Sequence, residues 1–290
     1  MSTATKALHN RIALAFDFDD TLAPDTVSSL IESCGMDAEH FWQERVQPRV
    51  QDGWDPIPAA MYTLIAESRQ RSDPAEKITR ERLVDFGRNL TFFDGVPELF
   101  ARLRRRAQET LPDIEVEFYL ITAGIVETAR SSPIAQHFRA MWGCDFHYTE
   151  SGEIDFLKRI VTHTEKTRYL SQISKGLDNH KEVGRPFDVN RSMAADDLHI
   201  PLSQIIYVGD GMTDVPCFSM LNEAQGVAIG VFKTRTAQKW GEQNKVSAGQ
   251  RVENLAPVDY REGSELLHSL TLAVEMLCKQ IALRRQSQGE

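Results

Sequence analysis

Cysteine is scarce and poorly placed for metal or cross-link chemistry. The four cysteines, Cys34, Cys144, Cys217 and Cys278, lie far apart and form no Cys-x-x-Cys pair. That spacing argues against a thiolate zinc site and gives no disulfide framework, so reduced thiols in a cytoplasmic protein are expected. The histidines are scattered and form no metal-binding pair. Positive charge is also short. Lys and Arg number 33 against 42 Asp and Glu, a net charge of -9. This argues against non-specific DNA or anionic-membrane binding, though not against a small anionic substrate, because a bound cation can invert the local field. The apolar run Ile12–Phe16 is too short for a signal peptide or a span, and no other segment is expected to cross a membrane. No repeat or low-complexity tract is visible.

What is present is an ordinary globular composition, 41% apolar and 26% charged over 290 residues. That fits one large domain, or one domain with a substantial insert. Short apolar runs at 11–16, 117–122, 204–208 and 226–230 each lead into a polar or glycine-containing turn and then a helical pattern. The alternation predicts an α/β, Rossmann-like parallel sheet with helices on both faces, and ligands at the C-terminal ends of its strands. Residues 24–90 read differently. Helical stretches at 26–34, 37–47, 57–69 and 75–90 are punctuated by Gly35, Pro48, Gly53, Pro56, Pro58 and Pro74. They are expected to form a helical cap inserted after the first strand, so that 1–23 and 91–290 make the core. The chain returns through Phe93–Pro97 to an amphipathic helix with Leu99, Phe100 and Leu103 inward and Arg102, Arg104, Arg105 and Arg106 exposed. Residues 178–190 read as a polar loop, and 265–285 as a long helix with its basic residues at the C-terminal end.

The chemistry gathers at the strand ends. AFDFDDTLAP places Asp17, Asp19 and Asp20 directly behind an apolar strand. Carboxylates so close repel one another, and burying them is costly unless a cation offsets the charge. A strand-end carboxylate with a second two residues on suits Mg²⁺, a hard cation held by one or two carboxylates plus waters and phosphate oxygens. YVGDGMTD supplies a matching group in Asp210 and Asp214, and Gly209 and Gly211 allow close backbone approach. Thr122, Ala123 and Gly124 end the second run, where a hydroxyl and free amides can hold a phosphate oxygen. A lysine would neutralise charge on a transferring group. Lys166 fits best, with Lys158 and Lys175 as alternatives.

These motifs resemble those of the haloacid dehalogenase superfamily of phosphatases, in order. DFDDTL matches its DxDxT motif, Thr122 its strand-end Ser or Thr, Lys166 its lysine, and GDGMTD its GDxxxD motif. The resemblance implies that Asp17 is a nucleophile forming an aspartyl-phosphate, and that Asp19 protonates the leaving oxygen and then activates water. It also implies that Asp17, Asp210 and the Asp19 backbone carbonyl hold Mg²⁺, with Gly211 and Asp214 supporting the metal shell. Thr122, Ala123, Gly124 and Lys166 would bind the phosphoryl group. An acid/base Asp at position 19 is the pattern of phosphatases and phosphomutases, and the insert resembles a type-1 cap. Thr122-Ala123-Gly124 and Gly209-Asp210-Gly211 resemble the phosphoserine-phosphatase branch.

The expected activity is therefore hydrolysis of a small phosphorylated metabolite by a monomer or homodimer. A phosphotransferase or phosphomutase using the same intermediate is the alternative, as is a non-catalytic binding protein on the same scaffold. Within the cap, Arg45 and Arg49 offer a carboxylate site and Trp42 and Trp54 a cage for a quaternary amine, against a reading of all four as surface charge and packing. Cys278–Arg284 fits the Cys-x5-Arg pattern of thiol phosphatases, but it has no glycine and continues a helix that uses its amides internally.

Overall fold

Arg11–Phe16 (β1) is buried without a break from Ile12 to Phe16. Such a continuous run, rather than alternation, marks a strand covered on both faces. A computed structural model describes residues 10–177, 187–233 and 254–288. In it β1 is the central strand of a seven-stranded sheet. The other strands are Glu115–Ile125 (β2), Phe138–Tyr148 (β3), Ile154–Arg159 (β4), Ile205–Gly209 (β5), Val227–Phe232 (β6) and Asn254–Pro257 (β7). Their order is β4-β3-β2-β1-β5-β6-β7, and every pair is parallel except β3 with β4. The α/β architecture read from the sequence is thus the observed one.

The two faces have separate cores. Ile12, Leu14 and Phe16 pack under Val96–Thr110 (α6) and the last helix, Glu265–Gln288 (α10). There the ring of Phe100 meets Phe16, Phe118 and Phe138 at centroid distances of 6.3, 5.1 and 5.2 Å. The short helix Val126–Arg130 (α7) follows β2, and Ala13 and Ala15 face Lys166–Lys175 (α8), Val215–Glu223 (α9) and helices from the segment after β1. Full burial of each Leu, Ile or Phe stabilises the fold by roughly 1.5–3 kcal/mol, so both layers contribute heavily.

The segment between β1 and α6 is helical, as its punctuation predicts. It holds Thr26–Ser33 (α1), Ala38–His40 (α2), Gln47–Gln51 (α3), Pro56–Gln70 (α4) and Arg80–Arg88 (α5). Pro48 does not end a helix, contrary to expectation. A π-helical turn, Phe41–Val46, runs into α3, which places Pro48 in a first turn where its missing N–H is not needed. The far end of the segment is joined to the β3–β4 hairpin. Arg80 N donates to Gly152 O at 2.8 Å, Ile154 N donates to Ile78 O at 3.0 Å, and Lys77 pairs with Glu153 at 2.9 Å.

Two further expectations change. Arg102 and Arg104 are half-buried rather than exposed, because they donate to Tyr260 O and His137 O at 3.3 and 3.2 Å. One helix does pass the length and composition test for a membrane span. Glu265–Ser287 has a mean hydropathy of 1.3 over its most apolar window. Leu266, Leu270, Val274, Leu277, Cys278 and Ile281 of that helix lie buried in the core beneath α6 and the sheet. The polar stretch 178–190 lies mostly outside the described residues, and its end forms a short 3-10 turn, Asp188–Asn190. All four cysteines are buried and free.

Candidate active site

The parallel register brings the acidic strand ends side by side. Phe16 lies beside Val208, and Asp17 N donates to Val208 O at 2.9 Å. The chain after Asp17 then folds tightly on itself, with Leu22 N and Ala23 N donating to Phe18 O at 2.8 and 3.1 Å. Asp20 takes a left-handed backbone (φ 57°) at this turn. Its Oδ1 accepts from Asp25 N at 3.0 Å and also meets the Lys233 ammonium, so it supports the loop.

Asp17 is almost fully buried. Its Oδ1 lies 2.9 Å from Lys166 Nζ, within ion-pair range, yet no donor is aligned on that oxygen. Lys166 opens α8 and is itself fully buried between two carboxylates, with Asp214 Oδ1 at 2.6 Å on its other side. Burial alone would lower its pKa, but the Asp17 and Asp214 charges outweigh burial and hold it above the usual lysine range. Of the three candidate lysines, only Lys166 joins this cluster. Lys158 is exposed on the edge strand β4, and Lys175 sits at the other end of α8, donating to Val189 O and Arg191 O at 2.5 and 2.7 Å.

Asp19 is gripped from two sides. Its Oδ1 accepts from Thr26 N and Thr26 Oγ1 at 2.7 and 2.5 Å, and Thr122 Oγ1 donates to its Oδ2 at 3.3 Å. Burial pushes its carboxyl pKa up, and the Thr26 hydrogen bonds oppose that. Gly124 is the floor of this arrangement. A Cβ there would lie 2.2 Å from Asp19 Oδ2, so no larger residue fits without moving Asp19.

The reading of Thr122-Ala123-Gly124 as a turn with free amides needs correction. β2 continues to Ile125, with its register broken between Ile121 and Ile125. Gly124 N is already taken by Thr122 Oγ1 at 2.8 Å. The Thr122 hydroxyl faces Asp19, and the Gly124 amide is not available as an anion donor.

Asp17, Asp210 and Asp214 can bring one oxygen each within 4.8 Å of one another. Without a cation this cluster is electrostatically unfavourable. Burial, with the Asp214 and Asp19 charges and against Lys166, pushes Asp17 up to about 7. Burial, with the Asp17 and Asp214 charges, pushes Asp210 up to about 9. The buried acceptor on Asp17 without an aligned donor, and the all-oxygen donor set beside it, fit a hard divalent cation. Asp214 fits least well as a direct ligand. Its Oδ1 already accepts from Lys166 and from Tyr207 OH at 2.6 Å each, and its Oδ2 from Gly211 N at 3.0 Å. It is a fixed anchor for the lysine. Gly209 is required for that anchor, since a Cβ there would lie 2.4 Å from Asp214 Cγ.

Two residues of this network, Thr26 and Tyr207, escaped the sequence reading. A threonine opening a helix and a tyrosine inside a strand carry no distinguishing spacing. The four cap candidates are each engaged in pairing or packing. Arg45 pairs with Glu67 at 2.7 Å, Trp42 Nε1 donates to Ser28 Oγ at 2.8 Å, and Arg49 and Trp54 both pack on Tyr62, at 5.3 and 5.1 Å.

No protein-family model matches the sequence. An uncharacterized protein of Borreliella burgdorferi is 26% identical over 294 residues, covering 93% of this chain and 97% of that protein. Among solved structures, the chain resembles a HAD family hydrolase from Salmonella enterica serovar Typhi (TM-score 0.53, 16% identity, 79% of this chain and 65% of that one). It resembles a probable phosphoserine phosphatase from Vibrio cholerae (TM-score 0.56, 12% identity, 95% and 68%). A phosphoserine phosphatase solved as a phospho-aspartyl intermediate analogue matches over most of both chains (TM-score 0.51, 12% identity, 90% and 98%). The chain spans about two thirds of the length of the Salmonella and Vibrio chains and nearly all of the third. Taken with the strand order and the clustered acidic strand ends, these matches show that the chain has the haloacid dehalogenase fold.

Proposed function

We propose that this protein is a Mg²⁺-dependent phosphomonoester hydrolase acting on a small phosphorylated metabolite through an aspartyl-phosphate on Asp17. The observation that carries the proposal is the buried Asp17 carboxylate, with one oxygen lacking an aligned donor, set between Lys166 and Asp210 and two residues from the doubly held Asp19. An oxygen of Asp17 attacks phosphorus, and the bond from phosphorus to the leaving oxygen breaks. Asp19 gives that oxygen its proton, then accepts one from the water that cleaves the aspartyl-phosphate. Lys166 neutralises charge on the phosphoryl oxygens. Asp17, Asp210 and the Asp19 carbonyl would hold Mg²⁺, which when bound offsets the clustered carboxylate charge and the charge of the phosphoryl group. The helices of 24–90 are proposed as the cap that shields the site, and the acidic, reduced-thiol chain as cytoplasmic.

The test is phosphate release from a panel of phosphorylated metabolites, phosphoserine included, in Mg²⁺ and in chelator. Release that requires Mg²⁺ and is lost on Asp17→Asn supports the proposal. A trapped phosphoenzyme that turns over only when an acceptor alcohol is added would redirect it to phosphotransfer. Gly124→Ala is expected to lower kcat by about 100-fold, because its methyl group must displace the Asp19 carboxylate. Steady-state kinetics alongside a circular-dichroism melt would check this, and wild-type kcat would remove Asp19 from the acid/base role.

A further inference from the structure

We propose that Tyr207 is a positioning residue of this site, holding Asp214 so that Lys166 stays beside Asp17. The inference rests on the phosphatase reading above. Tyr207 lies on β5, fully buried, two residues before Gly209. Its register partners on the neighbouring strands are Ala15 on β1 and Ala228 on β6. Two small residues on either side open a slot in the sheet face for the large ring, and Phe218 closes it edge-on at 5.9 Å. A phenylalanine would fill that slot equally well. What needs a tyrosine is the hydroxyl, which is costly to bury unless it is bonded.

That hydroxyl donates to Asp214 Oδ1 at 2.6 Å, the oxygen that also accepts from Lys166 Nζ at 2.6 Å. With Gly211 N on Oδ2 at 3.0 Å, three donors on two oxygens fix the plane of the Asp214 carboxylate. Lys166 therefore sits at a set distance from Asp17 Oδ1, 2.9 Å. Without the hydroxyl, Oδ1 keeps the ammonium as its one strong donor. The carboxylate can then turn, drawing Lys166 away from Asp17. The effect belongs to the transition state and not to substrate capture, because Tyr207 is shut off from solvent.

The experiment is Tyr207→Phe in the full-length, Mg²⁺-loaded enzyme. We expect kcat to fall about tenfold with KM within about twofold, alongside a melting temperature in chelator lowered by the lost hydrogen bond. A merely structural hydroxyl predicts the lowered melting temperature with kcat preserved. In a Lys166→Met background the hydroxyl has no lysine to aim, so Tyr207→Phe should change the residual rate by less than about twofold. An undiminished tenfold loss there overturns the route through Lys166. Should the double variant not fold, the single variant decides, and a Tyr207→Phe kcat within about twofold of wild type overturns the proposal. Wild-type protein that releases no phosphate under any condition overturns the activity reading and this proposal together. Active wild type with an unaffected Tyr207→Phe variant overturns this proposal alone.

Discussion

Asp17→Asn is expected to remove phosphate release, with kcat down on the order of 10⁴-fold or more, while the protein stays folded. The amide matches the carboxylate in shape but is a far poorer nucleophile. Stability should move the other way. Asp17 is buried, with Asp214 and Asp19 raising the cost of its charge and Lys166 lowering it, and the balance leaves its carboxyl at about 7. An ionised Asp17 is therefore disfavoured in the metal-free fold, and a neutral amide relieves that. Lys166 keeps its closer partner, Asp214, at 2.6 Å. Above neutral pH and in chelator, the variant should melt higher than wild type. In Mg²⁺ the order should reverse, because the cation favours a carboxylate over an amide. Melting curves with and without Mg²⁺ read both effects, and full activity in the variant would remove Asp17 from the nucleophile role.

The same charges give the metal-free wild type a pH dependence of definite sign. The folded pKa of Asp17 is raised from 3.8 to about 7, and that of Asp210 from 3.8 to about 9. Across those windows the folded chain holds protons that the unfolded chain has released. The stability they contribute is complete below about pH 4 and is lost as pH rises through about 7 and then about 9. Melting temperature in chelator should fall from about pH 6 to about pH 9, and saturating Mg²⁺ should remove much of the fall. A metal-free melting temperature that rises over this range would show that these carboxylates are not the strained groups the geometry makes them.

The acidic cluster was legible because motif spacing translates directly into register. A carboxylate just past an apolar strand lands at the sheet's C-terminal edge whatever surrounds it, and β1 and β5 are neighbours. Lys166 was harder, since a lysine opening a helix resembles many others. Its burial against Asp17 and Asp214 separates it from Lys158 and Lys175. β3, β4 and β7 were missed for a different reason. β3 mixes exposed and buried positions, β4 is an edge hairpin strand with Phe156 exposed, and β7 is short, so none shows the apolar run of a doubly covered strand. Thr26 and Tyr207 act through one hydroxyl each, and which carboxylate a hydroxyl reaches is decided by tertiary packing.

Lys166→Met should be the most destabilising single change in the site. Methionine roughly matches the aliphatic stem, so the loss is charge and hydrogen bonding, with little change in volume. Two buried carboxylates, Asp17 and Asp214, are left without the cation that lies 2.9 and 2.6 Å from them. Breaking a buried pair by removing one partner costs about 3–5 kcal/mol. Lys158→Met, on the exposed edge strand, should stay within about 0.5 kcal/mol of wild type. The deficit should also depend on pH in a direction that identifies its cause. Without the ammonium, the burial that already raises the Asp17 carboxyl is no longer opposed, and its folded pKa rises further. The variant then regains stability on acidification as Asp17 takes up its proton, whereas a simple packing defect would persist unchanged. Urea unfolding at about pH 5.5 and about pH 8 separates the two, and equal deficits at both would show that Lys166 serves this fold as a spacer and not as a charge.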